Sequence, residues 1–321
     1  MKIFQVANVR WYNATSWYAL YLSQLLENAG HDVLVICLEG TETHEKAKQM
    51  GLETYCLNLN AKNPLDFGPL FKDIWDLTTA LKPQVVNCHR GESFILWGIV
   101  KSLTRSFKLV RTRGDQRPPK NNVFNRWLHT DMADAVVATN TVTANYFRDV
   151  LGVPTDKLWI ILGGVERDQY TFDAQGRDRV RQEFGYTDQH KVVGILGRFD
   201  EVKGHKQAIQ AVSELYHDRG MQDVRLLLIG FDTAMSTRGI EQLVADYNIE
   251  DIVKITGLRE DVSACISALD LGLVSSLWSE TIARAALEIM SCNVPLVSTN
   301  VGVMPDLLSK EALVGTYNVQ A

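Results

Sequence analysis

Two charged segments in the second half of the chain have residue types and spacings suited to binding an anion. The first is GRFDEVKGH, residues 197–205, in which Arg198 and Lys203 are cations five residues apart. The segment lies between a predicted strand and a predicted helix, so both cations and the amino terminus of the helix can reach one diphosphate. The alternative interpretation is a connecting loop whose Arg and Lys are simply solvated.

The second segment is SETIARAALE, residues 279–288. A helix predicted over residues 282–291 would place Glu280 and Glu288 about 80° and roughly 12 Å apart, so that both carboxylates face one elongated ligand. Free amides near Thr281 and Ile282 would point at an anion. In the alternative interpretation Ser279 caps the helix, Glu280 is a favourable first-turn acid, and Glu288 is solvated. The apolar neighbours of Glu288 weaken that alternative.

The elements around these segments follow a repeating strand–helix pattern. Short β-branched runs alternate with longer amphipathic stretches, which predicts βαβ units on parallel sheets. Strands are predicted at residues 3–6, 32–37, 54–57, 84–87, 108–111 and 135–138, and then at 191–196, 225–229, 252–255, 271–274 and 296–298. The pattern loosens over residues 152–185, where we place a hinge. We therefore predict an α/β protein with two doubly wound, Rossmann-like domains, residues 1–165 and 166–321, facing a cleft at the carboxyl ends of their strands.

Composition excludes several classes of protein. The chain has 321 residues, 46% of them hydrophobic, and no apolar run approaches the roughly 18 residues of a membrane span. The net charge of -5 argues against a nucleic-acid partner. The five cysteines are odd in number and show no metal-type spacing, so we predict buried free thiols, no metal site and a reducing compartment. No signal peptide is recognisable, which favours the cytoplasm.

The order of several motifs is similar to that of a known family. GRFDEVKGH, LLLIG, ITGLREDV and SETIARAALEIMSCNVPLVSTNVGVMPDLL follow one another between residues 197 and 308. Together they resemble the carboxyl-terminal domain of glycosyltransferase family four. Members of that family are retaining nucleotide-sugar enzymes of the GT-B fold. Relative to that family, the second domain is shortened at its carboxyl end.

The resemblance implies a role for each motif. Arg198 and Lys203 would neutralise the diphosphate of the donor, Glu288 would hold the ribose hydroxyls, and Glu280 would touch the donor sugar. The amides of Thr281 and Ile282 would bind the distal phosphate of the donor. The main chain of Leu258 and Arg259 would contact the nucleobase, and Gly230 would leave room beside that base. Enzymes of this fold generally need no bound metal or other cofactor, and we expect none here.

This chain departs from the family at three loops. Glu280-Thr281-Ile282-Ala283 stands where the family has Glu-Gly-Phe-Gly, and the loop after the first strand, residues 12–16, has no glycine. The usual histidine after the fifth strand is replaced by RTRGD, residues 111–115. The nearest histidine is His89, which is either a catalytic residue or a residue at the entry to a helix. HRGE, RTRGD and SETIAR look most like the branch that builds bacterial lipopolysaccharide cores and other surface glycans.

A basic segment lies in the half that receives the acceptor in this fold. Residues 101–126 contain eight basic residues and one acid, a net charge of +7. We expect acceptor contacts at Ser16, Arg113, Asp115 and Arg117, and contact of residues 101–126 with a phosphorylated lipid-linked glycan or an anionic membrane surface. The alternative is a solvated surface whose charge is balanced by acids that folding brings close.

The sequence thus predicts a retaining glycosyltransferase that moves a sugar from a nucleoside diphosphate to a hydroxyl of a glycan or lipid-linked glycan. It would act in the cytoplasm, at the inner face of the membrane. Two alternatives stay open. One is a sugar-nucleotide epimerase of the same fold, and the other is a non-catalytic nucleotide-sugar-binding scaffold, which the short second domain favours.

Overall fold

Two parallel β-sheets organise the chain, one in each half. The computed structural model describes residues 1–10, 12–60, 64–91, 94–115 and 117–319. These residues divide into two compact units, Met1–Leu162 and Gly163–Ala321. The predicted fold class, two doubly wound α/β units, is confirmed.

The first unit contains a seven-stranded parallel sheet in the order β3-β2-β1-β4-β5-β6-β7. Its strands are β1 Lys2–Val6, β2 Asp32–Cys37, β3 Thr54–Cys56, β4 Val85–Cys88, β5 Lys108–Arg113, β6 Ala135–Ala138 and β7 Leu158–Ile160. Its helices are α1 Ala14–Asn28, α2 Glu42–Gln49, α3 Phe67–Leu81, α4 Phe94–Thr104, α5 Val123–Trp127 and α6 Thr141–Asn145; α5 and α6 each continue into a π-helical turn. The strand order reverses between β1 and β4, the position where sheets of this kind bind ligands.

The central strands of the first unit are apolar because their side chains are buried in its core. Phe4 of β1 and Trp97 of α4 are fully buried and pack edge to face. Trp97 makes a second edge-to-face contact with Phe107, just before β5. Helices cover the sheet, so a strand such as β2, with sequence DVLVIC, is buried over almost its whole length.

The second unit contains a six-stranded parallel sheet in the order β10-β9-β8-β11-β12-β13. Its strands are β8 Lys191–Leu196, β9 Val224–Ile229, β10 Val253–Ile255, β11 Leu271–Val274, β12 Leu296–Thr299 and β13 Leu313–Val314. Its helices are α7 Ala174–Glu183, α8 His205–His217, α9 Thr237–Asp246, α10 Val262–Ser267, α11 Arg284–Ser291 and α12 Met304–Leu307. Because β8 and β11 are neighbours, the loops that follow them end up side by side.

Sequence patterns missed β7, α7, α12 and β13. The clearest case is α7, AQGRDRVRQE, in which Val180 is a lone buried aliphatic side chain. Polar bonds hold this helix instead: Arg177 and Arg181 both contact the carboxylate of Asp270, at 2.7 and 3.2 Å. A helix attached through arginines has no apolar stripe, so periodicity does not reveal it.

All five cysteines are free, as predicted. The prediction that they are all buried is wrong for Cys56, which is partly exposed. Burial raises the pKa of Cys88 to about 12 and that of Cys265 to about 11, so both thiols are protonated at neutral pH. Within the described residues, no helix has the length and apolarity needed to span a bilayer.

Candidate functional site

The strongest candidate site lies at the carboxyl edge of the second sheet. The ammonium of Lys203, before α8, is 2.5 Å from Oε1 of Glu280, which lies between β11 and α11. The hydroxyl of Ser276 donates to the same oxygen, also at 2.5 Å. The Glu280 side chain is 7% exposed and that of Lys203 is 21% exposed, so the pair is largely shielded from water. The structure therefore brings together two of the residues that the sequence predicted for the donor site.

Hydrogen bonds join the loops that carry this pair. Ser275 donates from its hydroxyl to the carbonyl of Lys203 at 2.8 Å. The amide of Leu277 donates to the carbonyl of Val202, also at 2.8 Å. Thr299, at the end of β12, donates from its hydroxyl to the carbonyl of Ser276 at 2.5 Å. The loops after β8, β11 and β12 thus form one connected edge.

Glycines allow the backbones of these loops to approach so closely. Gly204 has a left-handed φ of 66°, and a Cβ there would lie 2.0 Å from the carbonyl oxygen of Ser275. At Gly302, after β12, φ is 57° and a Cβ would lie 2.0 Å from the carbonyl oxygen of Glu280. Both positions therefore exclude a side chain on two independent grounds. Gly302 is a positioning residue that the sequence analysis did not single out, although the segment STNVGVMPDLL contains it.

Gly230 allows the backbone of Gly197 to approach closely. A Cβ at this position would lie 2.1 Å from the carbonyl oxygen of Gly197. The predicted role of Gly230 beside a nucleobase stays a prediction, because packing against Gly197 by itself requires glycine here.

Arg198 does not share a partner with Lys203. Its guanidinium pairs with Asp200 at 3.0 Å, and its side chain is 49% exposed. Burial by itself would raise the pKa of Asp200, but the Val202 amide and the Arg198 guanidinium outweigh burial and hold that pKa below its usual value. Arg198 is thus an exposed cation on the same loop as Lys203, and its predicted contact with a diphosphate stays a prediction.

The prediction of a helix from residue 282 is wrong. Helix α11 begins at Arg284, after Ala283 adopts a left-handed φ of 55°. Glu280 therefore stands outside the helix, and helical spacing does not relate it to Glu288. The amides of Thr281 and Ile282 belong to the preceding turn, and Ile282 is buried. Ala283 occupies the family's last glycine position and adopts the backbone conformation that favours glycine.

Glu288 is buried inside α11 rather than solvated. Its side chain is 9% exposed and accepts a 2.7 Å bond from Arg284, one helical turn earlier. Burial raises the pKa of Glu288, and the nearby Arg284 guanidinium opposes that rise. The predicted contact of Glu288 with ribose hydroxyls stays a prediction.

The segment after β10 offers main chain rather than side chains. Leu258 is 77% exposed. The Arg259 guanidinium is engaged by Glu183, at 2.7 and 3.0 Å, and by Asp261, at 2.8 and 2.9 Å. These carboxylates raise the pKa of Arg259. The Arg259 side chain is therefore committed to the fold, and the predicted contact of this loop's main chain with a nucleobase stays a prediction.

His89 is a buried, neutral group in the first unit. It follows β4, is 1% exposed, and places Nε2 2.7 Å from Oε1 of Gln5 and 3.3 Å from Nδ2 of Asn87. Burial, and then the positive charge of Arg111, lower its pKa to about 3. A ring that is neutral at physiological pH can donate or accept a hydrogen bond but supplies no cation.

The predicted acceptor residues differ in burial and in bonding partners. The Ser16 side chain is fully buried and completes the amino-terminal cap of α1 with Asn13. Arg113 is 8% exposed and donates to the carbonyl of Arg117. Asp115 lies 3.7 Å from both Arg90 and Arg111. Arg117 is exposed.

The basic segment is less uniformly exposed than its sequence indicates. Arg111 and Arg113 are buried, so they add no charge to the surface. Asp134 lies 2.6 Å from Lys101 and 3.1 Å from Lys108. Folding therefore supplies a balancing acid, as the alternative interpretation expected. The exposed cations of the segment are Arg105, Lys108, Arg117, Lys120 and Arg126.

Asn8 is a polar residue that sequence reasoning missed. It follows β1, is 2% exposed, and neither its amide nitrogen nor its amide oxygen has a hydrogen-bond partner among the described residues. An unpaired buried amide costs about 1–3 kcal/mol. Its place at the carboxyl edge of the central strand was the available signal, since ligands bind at that edge.

Comparison with known proteins decides the family. Residues 15–169 match the sequence model described as Glycosyltransferase Family 4, and residues 190–321 match the one described as Glycosyl transferases group 1. Among solved structures, a glycosyltransferase from Rickettsia africae superposes with a TM-score of 0.87 at 18% identity, covering 100% of this chain and 85% of that one. Anabaena HepE in complex with UDP superposes with a TM-score of 0.83 at 18% identity, covering 98% and 86%. Each unit matches a glycosyltransferase family model, and the fold is GT-B.

Curated relatives of this chain are longer than the chain itself. D-inositol 3-phosphate glycosyltransferase of Corynebacterium jeikeium is 24% identical over 198 residues, which are 60% of this chain and 47% of that enzyme. The chain spans about half the length of several such relatives. The matched family regions include both loops of the Lys203–Glu280 pair.

The buried His89 predicts that the chain loses stability in acid. Its folded-state pKa of about 3 lies below the unfolded value near 6.5, so the unfolded chain takes up a proton that the folded chain does not. The stability that neutral His89 contributes is complete above about pH 6.5 and is lost as the pH falls, by up to about 1.4 kcal/mol per pH unit. Urea unfolding at pH 7 and pH 5 should show a smaller loss for His89→Gln than for wild type. Exposed His217→Gln is the control, and an NMR titration of His89 near pH 6.5 would contradict the prediction.

Proposed function

We propose that the chain forms the catalytic pair of domains of a retaining glycosyltransferase, which moves a sugar from a nucleoside diphosphate to an acceptor hydroxyl. The observation that carries the proposal is the shielded Lys203–Glu280 pair, at the meeting of three loops on the carboxyl edge of the second sheet. That edge is where ligands bind in doubly wound folds.

Lys203 has the chemistry to stabilise the leaving group. An ammonium has three donors, so Lys203 can keep its bond to Glu280 and still donate to a diphosphate. Negative charge grows on the diphosphate as the glycosidic bond breaks, and a fixed cation in a shielded site stabilises that charge. Exposed Arg198, at the other end of the loop, binds the same diphosphate. In this proposal protein cations and amides, rather than a divalent ion, meet the charge of the diphosphate.

The acceptor hydroxyl needs a destination for its proton. In a retaining transfer, the acceptor oxygen bonds to the sugar on the face that the diphosphate leaves. An oxygen of the departing diphosphate takes the hydroxyl proton, so no protein carboxylate has to act as the base. Glu280, bound by Lys203 and Ser276, then has the role of orienting the donor sugar.

Donor binding and product analysis test the function. The thermal midpoint of the full chain is measured with UDP, GDP, ADP and CMP and with their sugars, since a ligand that binds the folded state stabilises it. UDP comes first because HepE, a structural neighbour, was solved with UDP. A shift with a nucleotide sugar, followed by sugar transfer to an added acceptor, supports the proposal. An altered sugar nucleotide without acceptor indicates an epimerase, and binding without any turnover indicates a scaffold.

Asn8 supplies an unpaired amide for the acceptor in the first unit. Asn8→Ala should raise the KM for acceptor at least tenfold while leaving the free energy of unfolding unchanged or about 1 kcal/mol higher, since the wild-type amide is buried without a partner. Asn87→Ala is the matched control: this buried amide bonds both Gln5 and Thr112, so its loss should destabilise the chain. A loss of stability in Asn8→Ala with unchanged KM would assign Asn8 to the fold alone.

The acceptor is a glycan or lipid-linked glycan of a bacterial surface polysaccharide or lipopolysaccharide, and the reaction runs at the cytoplasmic face of the membrane. The motifs HRGE, RTRGD and SETIAR support this assignment. Short helix α5 adds a surface with exposed apolar side chains, Val123, Phe124 and Trp127, beside the cations Lys120 and Arg126. Apolar anchors next to cations are typical of a surface that lies on anionic lipid.

Vesicle binding tests this surface. Replacing Arg117, Lys120 and Arg126 together by Ala should weaken binding to phosphatidylglycerol vesicles at least tenfold, at roughly 1 kcal/mol per cation. Wild-type binding should also fall with added salt. The control removes equal charge from the exposed residues Lys206, Arg219 and Lys310 of the second unit. Equal binding by wild type and the first variant would remove the membrane from the proposal.

A further inference from the structure

Three soft metal ligands meet at the carboxyl edge of the first sheet, outside every residue assigned above. Cys37 ends β2, Cys56 ends β3, and His44 lies in the first turn of α2, which connects those strands. Cys37 and Cys56 are direct partners in the parallel register of β2 and β3. One ligand atom from each of the three side chains lies within 4.8 Å of the others.

The spacing of these atoms is close to that of a tetrahedral metal site. Zinc binds thiolate at about 2.3 Å and imidazole at about 2.0–2.1 Å, which places tetrahedral ligands roughly 3.6–3.8 Å apart. Nε2 of His44 is 3.4 Å from Sγ of Cys56. All three ligand atoms lie within 4.8 Å of one another, so side-chain shifts of about 1 Å would complete the site.

We propose that Cys37, His44 and Cys56 form a binding site for a thiophilic d¹⁰ metal ion, Zn²⁺, with a fourth position open to water. Two thiolates and one imidazole are the ligand types that zinc prefers. On binding, the two thiols release their protons to solvent, and the two thiolate charges balance the charge of the ion. The imidazole stays neutral.

The ring of His44 changes tautomer when the ion binds. Without metal, the amide of Gly40 donates to Nδ1 at 3.2 Å, so the ring proton is on Nε2. Coordination through Nε2 moves that proton to Nδ1, which lies 3.9 Å from a carboxylate oxygen of Glu45. A carboxylate behind a metal-bound imidazole is a common means of orienting it. The Gly40 amide would then lose Nδ1 as its acceptor.

The ion would join three consecutive elements, β2, α2 and β3. β3 has three residues and lies at the edge of the sheet. A bond from Cys56 through the metal to Cys37 and His44 would hold this edge strand to β2 and α2, and the binding energy would add to the stability of the first unit. From the spacing of the cysteines alone, no metal site is expected; six residues separate Cys37 from His44, and eleven separate His44 from Cys56. The proposed site departs from that expectation, because the register of β2 and β3 brings Cys37 and Cys56 together.

Metal titration of the full chain tests the site. The protein is reduced with a phosphine, stripped with a chelator, and titrated with Zn²⁺ against a chromophoric chelator. We expect one equivalent bound, a higher urea midpoint when loaded, and thiolate-to-metal absorption when Co²⁺ replaces Zn²⁺. Cys37→Ser, His44→Ala and Cys56→Ser should each weaken Zn²⁺ binding at least tenfold. Cys88→Ser is the matched control, a buried cysteine that ends β4 of the same sheet, and it should bind Zn²⁺ as wild type does.

Two results would overturn the proposal. One is the absence of stoichiometric binding, or binding that all three ligand variants retain. The other is a Cys37–Cys56 disulfide that re-forms in air in the presence of Zn²⁺, shown by counting free thiols in the denatured chain. Neither result depends on donor binding or sugar transfer, so the metal site and the proposed function fail separately.

Discussion

Lys203→Met should lower turnover of the nucleotide sugar at least a hundredfold. The substitution keeps a long side chain beside Glu280 and removes the charge that we place on the departing diphosphate. Loss of one preorganised electrostatic contact in an active site typically costs 10²–10³ in kcat. Initial rates of nucleoside diphosphate release at saturating donor measure the effect.

The matched control is Lys206→Met. Lys206 is an exposed lysine in the first turn of α8, three residues from Lys203. Its replacement therefore removes one positive charge nearby without changing the Lys203–Glu280 pair. Wild-type rates are expected for it. If Lys203→Met retains more than a tenth of wild-type turnover, Lys203 does not stabilise the leaving group.

Loss of folding must be separated from loss of catalysis. Lys203→Met leaves the carboxylate of Glu280 shielded without its cation, which destabilises the chain by up to about 3 kcal/mol. The double variant Lys203→Met/Glu280→Gln removes both charges and should recover most of that stability. Turnover should stay low in the double variant. Recovery of turnover together with stability would show that the pair serves the fold alone.

Gly302→Ala should lower the free energy of unfolding by about 3 kcal/mol or more and weaken donor binding. The new Cβ would lie 2.0 Å from the carbonyl oxygen of Glu280 and 3.0 Å from its amide nitrogen. Overpacking of this kind costs about 1–3 kcal/mol, and the left-handed φ adds roughly 1–2 kcal/mol for alanine. Relief of the clash displaces the Glu280 main chain, which also accepts a 2.7 Å bond from the Val303 amide. Urea unfolding and donor titration measure the two effects.

Gly220→Ala separates conformational strain from contact. Gly220 has a left-handed φ of 67°, close to the 57° of Gly302, and no atom lies within 4 Å of the position that a Cβ would take. This variant should therefore lose only the roughly 1–2 kcal/mol of backbone strain and keep wild-type donor affinity. Equal losses in the two variants would mean that Gly302 has no special role in placing Glu280.

Local sequence was sufficient for the elements with strong apolar periodicity. Strands β2, β6, β8 and β11 match their predicted bounds, since buried β-branched runs between turn residues leave little choice. It failed where another interaction replaced apolar burial. Helix α7 is held by Arg–Asp bonds, and α11 starts late because Ala283 turns left-handed beside the packed Glu280 loop.

The sequence by itself determined the α/β class, the order of the elements and the loop chemistry of residues 197–205. Only the tertiary structure decided which distant groups meet. Lys203 and Glu280 are 77 residues apart, yet they pair because β8 and β11 are neighbours in the sheet. Cys37 and Cys56 meet because β2 and β3 pair in register, and Arg111 and Arg113 leave the surface because they lie on a buried strand. Strand order and register depend on non-local pairing, so no local pattern of residues reveals them.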